Sequence, residues 1–320
     1  MTILLVLMWT FVSFLLTYLL MPLGIKLIKK RGWTGLDVHK PLRVECAEPG
    51  GLIILVALSI TFTSMFLANL LDRVTFGASL TIILTGLVGL LDDMVTLRQR
   101  HKVLLMMLTG LPLALCYNGV GSVRLPVLGG IELGIYYVFL ILVFVNVSSN
   151  LTNMLAGFNG LEAGFAAVAC AILGAVSTLS GELKAVTLSL VSLGALLAFL
   201  RYNWYPAKVF PGDTGTLMFG SIIASTAVLS GQEFLAVSLL MPAVFDFILK
   251  MQHGKPFAQR RIYGDTKADE AGILKPPDYA AFSHAFMKVA PTTEGKLVLL
   301  ILLSETLLGV VALALMAFFG

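Results

Sequence analysis

The sequence predicts an all-α polytopic membrane protein with about ten transmembrane helices. Three observations carry that expectation. First, 58% of the chain is hydrophobic and only 12% is charged, against roughly 25% charged in a soluble domain. Second, the apolar residues come in runs of membrane length, about 20 residues, where a soluble helix would show an amphipathic stripe. Third, the basic residues fall on alternate connections between those runs.

Ten windows qualify in chain order: Ile3–Ile25, Gly51–Leu71, Thr75–Leu91, Val103–Tyr117, Leu133–Val147, Leu161–Leu179, Leu183–Leu200, Thr214–Ser230, Phe234–Leu249 and Leu297–Phe319. The first reads as a retained span, because no basic stretch precedes it and no small-residue cleavage site follows. With the N-terminus outside and the spans alternating, 19 of the 22 lysines and arginines fall inside, and only Arg73, Arg124 and Lys184 fall outside. That bias predicts both termini outside. The net charge of +4 follows from the same bias and gives no sign of nucleic-acid binding.

A single domain spanning residues 1–320 is expected, with no internal repeat. Outer connections are short except Asn118–Glu132, whose Gly and Pro content suggests a hairpin. Inner connections are Lys26–Gly50, Asp92–Lys102, Ser148–Gly160, Arg201–Asp213 and a long loop over 250–296. Cys46, Cys116 and Cys170 have no CxxC spacing and an odd count, against a disulfide framework or a zinc site.

The inner loops hold most of the Asp, Asn, Lys and Arg. Asp92-Asp93 closes the third window ahead of Arg98, Arg100, His101 and Lys102. Paired carboxylates at a membrane helix end must be solvated, paired or metal-bound. They suit a Mg²⁺ or phosphate site with Lys102 as phosphate partner, or equally a pair neutralised by the following bases. Asn150 to Gly164 puts three asparagines and three glycines between two spans. A helix cap with small-residue packing at Gly160 and Gly164 explains the glycines but not three Asn, which offer neutral oxygens to a hard cation. Asp213, between Gly212 and Gly215, is an N-cap candidate that also suits a metal-diphosphate. Phe210 is either an interface aromatic or a stacking platform for a base. In the first loop, Lys26 to Arg31 read as lipid anchors, whereas Asp37, Lys40 and Glu48 sit among turn residues. Arg260-Arg261 form either a guanidinium clamp for phosphate or ordinary inner-face charge.

Together these loops fit a divalent cation plus a diphosphate, and phosphoryl transfer needs mainly in-line positioning and neutralised oxygens. The stretches Asp37 to Gly51, Leu91-Asp92-Asp93 to Lys102, Asn150 to Gly164 and Asn203-Trp204-Tyr205-Pro206 to Thr214 resemble the polyprenyl-phosphate N-acetylhexosamine-1-phosphate transferase superfamily. Within it they are most similar to the UDP-GlcNAc:dolichyl-phosphate GlcNAc-1-phosphotransferases, on a compact chain that suggests an archaeal enzyme.

The resemblance implies Mg²⁺ as cofactor, with Mn²⁺ able to substitute, held by Asn153 and Asp213. It implies catalytic roles for Asp92, Asp93, Lys102 and Asp213. It places Asp37, Lys40, Glu48, Gly157, Asn159, Phe210, Arg260 and Arg261 around the substrates, with Phe210 stacking on uracil. Arg260 and Arg261 match poorly, since the family's Arg-His-Arg reads Gln259-Arg260-Arg261 here. Partners implied are UDP-GlcNAc, a dolichyl or other polyprenyl phosphate and membrane lipid, with no nucleic acid; a homodimer stays open. The multi-pass protein would face the cytoplasm with its active site, from the plasma membrane or, in a eukaryote, the endoplasmic reticulum. Tunicamycin would inhibit it. The alternative is a phospho-N-acetylmuramoyl-pentapeptide transferase or another branch with a different N-acetylhexosamine donor. Against the muramoyl branch, Ala156 and Asn159 stand where it carries Asp, and its histidine-rich motif is absent. A secondary transporter is the remote alternative, disfavoured by an apolar midplane and the lack of repeated halves.

Overall fold

The computed structural model describes residues 2–40, 44–119, 121–252, 266–277 and 279–319. Helix α1 (Ile3–Lys30) leads into a small hairpin of β1 (Thr34–Asp37) and β2 (Val44–Ala47). Then come α2 (Gly51–Leu67), α3 (Arg73–Val95), α4 (Gln99–Thr109) and α5 (Leu111–Cys116). A second hairpin, β3 (Ser122–Leu125) and β4 (Gly129–Glu132), precedes α6 (Tyr136–Leu155), α7 (Leu161–Leu179), α8 (Leu183–Asn203), α9 (Gly212–Ser230) and α10 (Glu233–Gln252). The chain ends with β5 (Lys267–Ala268), β6 (Leu274–Lys275), α11 (Phe282–Val289) and α12 (Glu294–Phe319).

Every apolar window of the sequence overlaps helix, but the helices are not alike. Seven of them, α1, α3, α6, α7, α8, α10 and α12, are long and apolar enough to cross a membrane. At 17 residues, α2 is a shorter apolar helix. The window at 103–117 is not one helix: α4 ends at Gly110 and α5 begins there, with Pro112 in its first turn. Proline is tolerated in a first turn and breaks a helix interior, so the break falls where proline demands it. Thr81 of α3 accepts from the Leu113 N–H at 3.2 Å and satisfies one amide that the break exposes. The expected outer hairpin is present, with Ser122 opposite Glu132 and Leu125 opposite Gly129.

Helix α9 is the axis of the bundle. Every residue from Thr214 to Leu229 is buried, and α2, α3, α6, α7, α8 and α10 pack around it. Between apolar helices in a membrane, association rests on close packing of small residues and on interhelical hydrogen bonds. Both are seen. The Thr85 hydroxyl of α3 lies within hydrogen-bonding distance of the Thr109 hydroxyl of α4, at 3.0 Å, and of the Ser221 hydroxyl of α9, at 3.3 Å. Two close approaches matter most. A Cβ on Gly89 of α3 would overlap the backbone of Asp213 and Thr214, and one on Gly220 of α9 would overlap Ser148 and Ser149 of α6.

These contacts position side chains one turn further along, because residues four apart share a helix face. Gly89 brings Asp93 against the start of α9. The contact of Gly220 with Ser149 brings Asn153 beside Thr216. At the same end of the bundle, β2 is tied to the segment before α9: Ala47 pairs with Val209, Phe210 donates its N–H to Ala47 O at 2.8 Å, and Gly50 donates to Phe210 O at 2.7 Å.

Candidate active site

At the junction of α3, α4, α6 and α9 lies a continuous polar set. Lys102, in the first turn of α4, is buried and contacts Asp92 Oδ2 and Asp213 Oδ2, each at 2.7 Å. Asp92 Oδ1 also accepts from the Leu97 N–H at 2.6 Å. Asp213 Oδ1 accepts from Asn153 Nδ2 at 2.8 Å, and the same nitrogen donates to Thr216 Oγ1 at 2.7 Å. Asp213 is partly open, with its side chain 32% exposed. A buried ammonium is costly unless its charge is matched and its protons are bonded; two carboxylates do both for Lys102.

Asp93 has a different role from its neighbour. Its Oδ1 accepts from the Asp213 N–H at 2.8 Å, and its Oδ2 accepts from the Thr214 N–H at 2.9 Å and the Thr214 hydroxyl at 2.5 Å. The first amides of a helix have no partner within the helix, and here a carboxylate 120 residues earlier supplies one. Asp93 therefore aims Asp213.

A cavity of about 340 Å³ opens beside this set, lined by Asp37, Glu48, Asn153, Gly157, Asn159 and Phe210 among others. Its volume is that of a small-ligand site. A second cavity of about 590 Å³, lined by Trp33, Asp92 and Asp93, shares Glu48 and Asp213 with the first. Asp213 thus stands where two compartments meet.

The wall of the first cavity is the turn between α6 and α7. Gly157 and Gly160 take φ of +152° and +83°, a region that L side chains rarely adopt. Three carboxylates hold this turn. Glu162 accepts from the Gly157 N–H at 2.8 Å, Glu294 accepts from the Asn159 N–H at 2.7 Å, and Asp37 accepts from Asn159 Nδ2 at 2.9 Å. Lys40 pairs with Asp37 at 2.5 Å. Phe158 stacks on His39 with ring centroids 4.7 Å apart. Burial pushes the His39 imidazole below its ordinary range, with Asp37 only partly opposing. Burial also pushes the Glu48 carboxyl up to about 7, and the charges of Asp93, Asp213 and Glu162 add to the effect.

The structure thus brings together Asp92, Lys102, Asn153 and Asp213, and sets Asp37, Glu48, Gly157, Asn159 and Phe210 around the adjoining cavity. Lys40 reaches it through Asp37. Arg260 and Arg261 lie outside the described residues. Glu162, Glu294, Thr214 and Thr216 were not singled out from sequence. The available signal for the two glutamates was a lone acid at the edge of an apolar window, at 162 and just before 297.

Among the described residues no three His, Cys, Asp or Glu converge as a metal cage. A smaller donor set is present. Asp213 and the Asn153 amide touch, with the Thr216 hydroxyl against the same amide. Mg²⁺ is commonly held by one or two carboxylates, with water and substrate phosphates completing the shell. The residues fit such an ion once a phosphate is present.

Long apolar helices around a polar junction that opens to two cavities define a membrane protein with a ligand site at one end of its bundle. The chain belongs to glycosyl transferase family 4, whose family model matches residues 75–231. It is 32% identical to a protein of Sulfolobus acidocaldarius provisionally named UDP-N-acetylglucosamine–dolichyl-phosphate N-acetylglucosaminephosphotransferase, over 96% of this chain and 95% of that one. A protein of Saccharolobus solfataricus with the same provisional name is 30% identical over 98% of both chains. The phospho-N-acetylmuramoyl-pentapeptide-transferase of Streptococcus pneumoniae serotype 19F is 28% identical over 79% of this chain and 82% of that one.

Proposed function

We propose that the protein transfers N-acetylglucosamine 1-phosphate from UDP-GlcNAc to dolichyl or another polyprenyl phosphate, the first step of lipid-linked oligosaccharide assembly. The products are UMP and GlcNAc-diphospho-lipid. The observation that carries this reading is the set Asp92, Lys102, Asp213 and Asn153, placed where the two cavities meet. The full-length likeness to the two archaeal relatives supplies the substrates.

The reaction needs little covalent help. The lipid phosphate is already ionised at neutral pH. Its oxygen forms a bond to the β-phosphorus, the bond from that phosphorus to the UMP oxygen breaks, and UMP leaves with the electron pair. Catalysis is then positioning and charge stabilisation. Phe210 and the turn at 157–160 receive the uridine. Lys102 meets the acceptor phosphate. Mg²⁺, held by Asp213 and Asn153, would neutralise diphosphate oxygens and the leaving UMP. The charge bias supports both termini outside and the site facing the cytoplasm.

The muramoyl-peptide branch is disfavoured by the site itself. Asn159 donates its amide to Asp37; the Asp carried there by that branch would face a second carboxylate with no proton to give.

The test is membranes carrying the protein, incubated with sugar-labelled UDP-GlcNAc, Mg²⁺ and dolichyl phosphate. Label in the organic phase with UMP as the nucleotide product is expected. Release of UDP, the product of plain glycosyl transfer, would overturn the reading.

A further inference from the structure

Asn159 is held at two points by carboxylates from distant parts of the chain. Its backbone N–H goes to Glu294, in the first turn of α12, and its side-chain nitrogen goes to Asp37, at the end of β1. All three residues are buried, at 3%, 3% and 2% exposure for Asn159, Glu294 and Asp37. Asp37 is further fixed by Lys40.

The direction of an Asn amide is ordinarily a choice between two flips. Here the chemistry decides it. An ionised carboxylate only accepts, so the NH₂ of Asn159 must turn to Asp37 and the carbonyl oxygen must turn away. Among the described residues no donor reaches that oxygen. Asn159 lines the first cavity together with Phe210, so the group left over for a ligand there is a hydrogen-bond acceptor.

Resting on the donor reading above, we infer that Glu294 and Asp37 are positioning residues for base selection. They hold Asn159 so that its oxygen accepts the imide N–H of uracil and refuses cytosine, whose ring nitrogen at that edge is itself an acceptor. Glu294 fixes where the residue sits, and Asp37 fixes which way its amide points. Helix α12, which supplies nothing to the phosphate end, therefore takes part in recognising the nucleotide. A site built to accept a hydrogen bond rejects an analogue that cannot donate it, because the buried group is left unpaired.

The experiment compares UMP and CMP binding to the purified full-length protein in detergent, by calorimetry, with melting temperature recorded for each variant. The wild type is expected to prefer UMP. In Asp37→Asn the residue facing Asn159 can donate as well as accept, so the amide is free to flip, and the UMP preference should fall by about tenfold or more. Glu294→Ala should lower it similarly, and Glu294→Gln, whose carbonyl still accepts from the Asn159 N–H, should restore it. A wild-type preference in Asp37→Asn, or in a folded Glu294→Ala, overturns the inference. If Glu294→Ala does not fold, the Asp37→Asn result decides. Wild-type protein that binds neither nucleotide would instead overturn the donor reading on which the inference rests.

Discussion

Asp93 and Thr214, 121 residues apart, are joined through both the backbone and the side chain of the threonine, and this contact fixes the start of α9. Both oxygens of Asp93 are engaged by α9. The oxygens of Asp92 go instead to Lys102 and the Leu97 N–H, so the two carboxylates of the Asp92-Asp93 pair have separate tasks. Replacing Asp93 by Ala leaves the first amides of α9 unpaired. Loss of a helix cap costs about 0.5–2 kcal/mol, and Asp213 loses its aim. Asp93→Ala should lower the melting temperature and turnover together. Asp93→Asn keeps an accepting oxygen and should recover much of both. An inactive Asp93→Asn of wild-type stability would assign Asp93 to the chemistry instead.

Lys102 neutralises Asp92 and Asp213 at once. Removing one partner of a buried ion pair costs about 3–5 kcal/mol, and the openness of Asp213 places this case toward the lower figure. Lys102→Ala should therefore be less stable, and it should respond poorly to rising polyprenyl phosphate while binding UDP-GlcNAc nearly as before. Kinetics with each substrate varied in turn separate the two effects. An unchanged acceptor response would remove Lys102 from the acceptor site.

Much of this arrangement was legible in the sequence, for a definite reason. Apolar runs show which residues leave water, so the loops between them had to hold the polar chemistry, and Asp92, Lys102, Asn153 and Asp213 do meet. Continuity of a helix was less legible. The window at 103–117 is apolar throughout yet breaks at Gly110, because Pro112 governs backbone geometry while hydropathy reports only burial. Partner identity was not legible at all. Nothing local to Glu294 points to an amide 135 residues earlier, and nothing in Asp92-Asp93 distinguishes the residue that pairs Lys102 from the one that caps α9. Such assignments arise from tertiary packing, here from Gly89 and Gly220 letting helices touch.

Asp213 lines both cavities and also contacts Lys102 and the Asn153 amide. Asp213→Ala should abolish turnover, with no recovery at saturating Mg²⁺, because neither Asn153 nor Thr216 supplies a negative oxygen. Asp213→Asn keeps the shape and loses the charge, so it should also be inactive, and the lost pairing with Lys102 should lower its melting temperature. Product formation measured across a Mg²⁺ titration checks this. Near-normal activity of either variant would exclude Asp213 as a metal ligand.

Glu48 lines both cavities and faces Asp93, Asp213 and Glu162, and its carboxyl is raised from an ordinary 4.5 to about 7. The folded protein therefore resists ionising it more than the unfolded chain does. For a carboxyl with a raised folded value, full stability is present below about 4.5 and is lost as pH rises toward 7. The loss levels off above that, at about 3 kcal/mol for a shift of this size. Glu48→Gln removes the charge, so it should match the wild type near pH 4 and become more stable relative to it through pH 7. Above that the difference should stay constant. Melting temperatures of both proteins across that range, without nucleotide or metal, give the comparison. A constant difference at every pH would mean that Glu48 ionises as freely in the folded protein as in water.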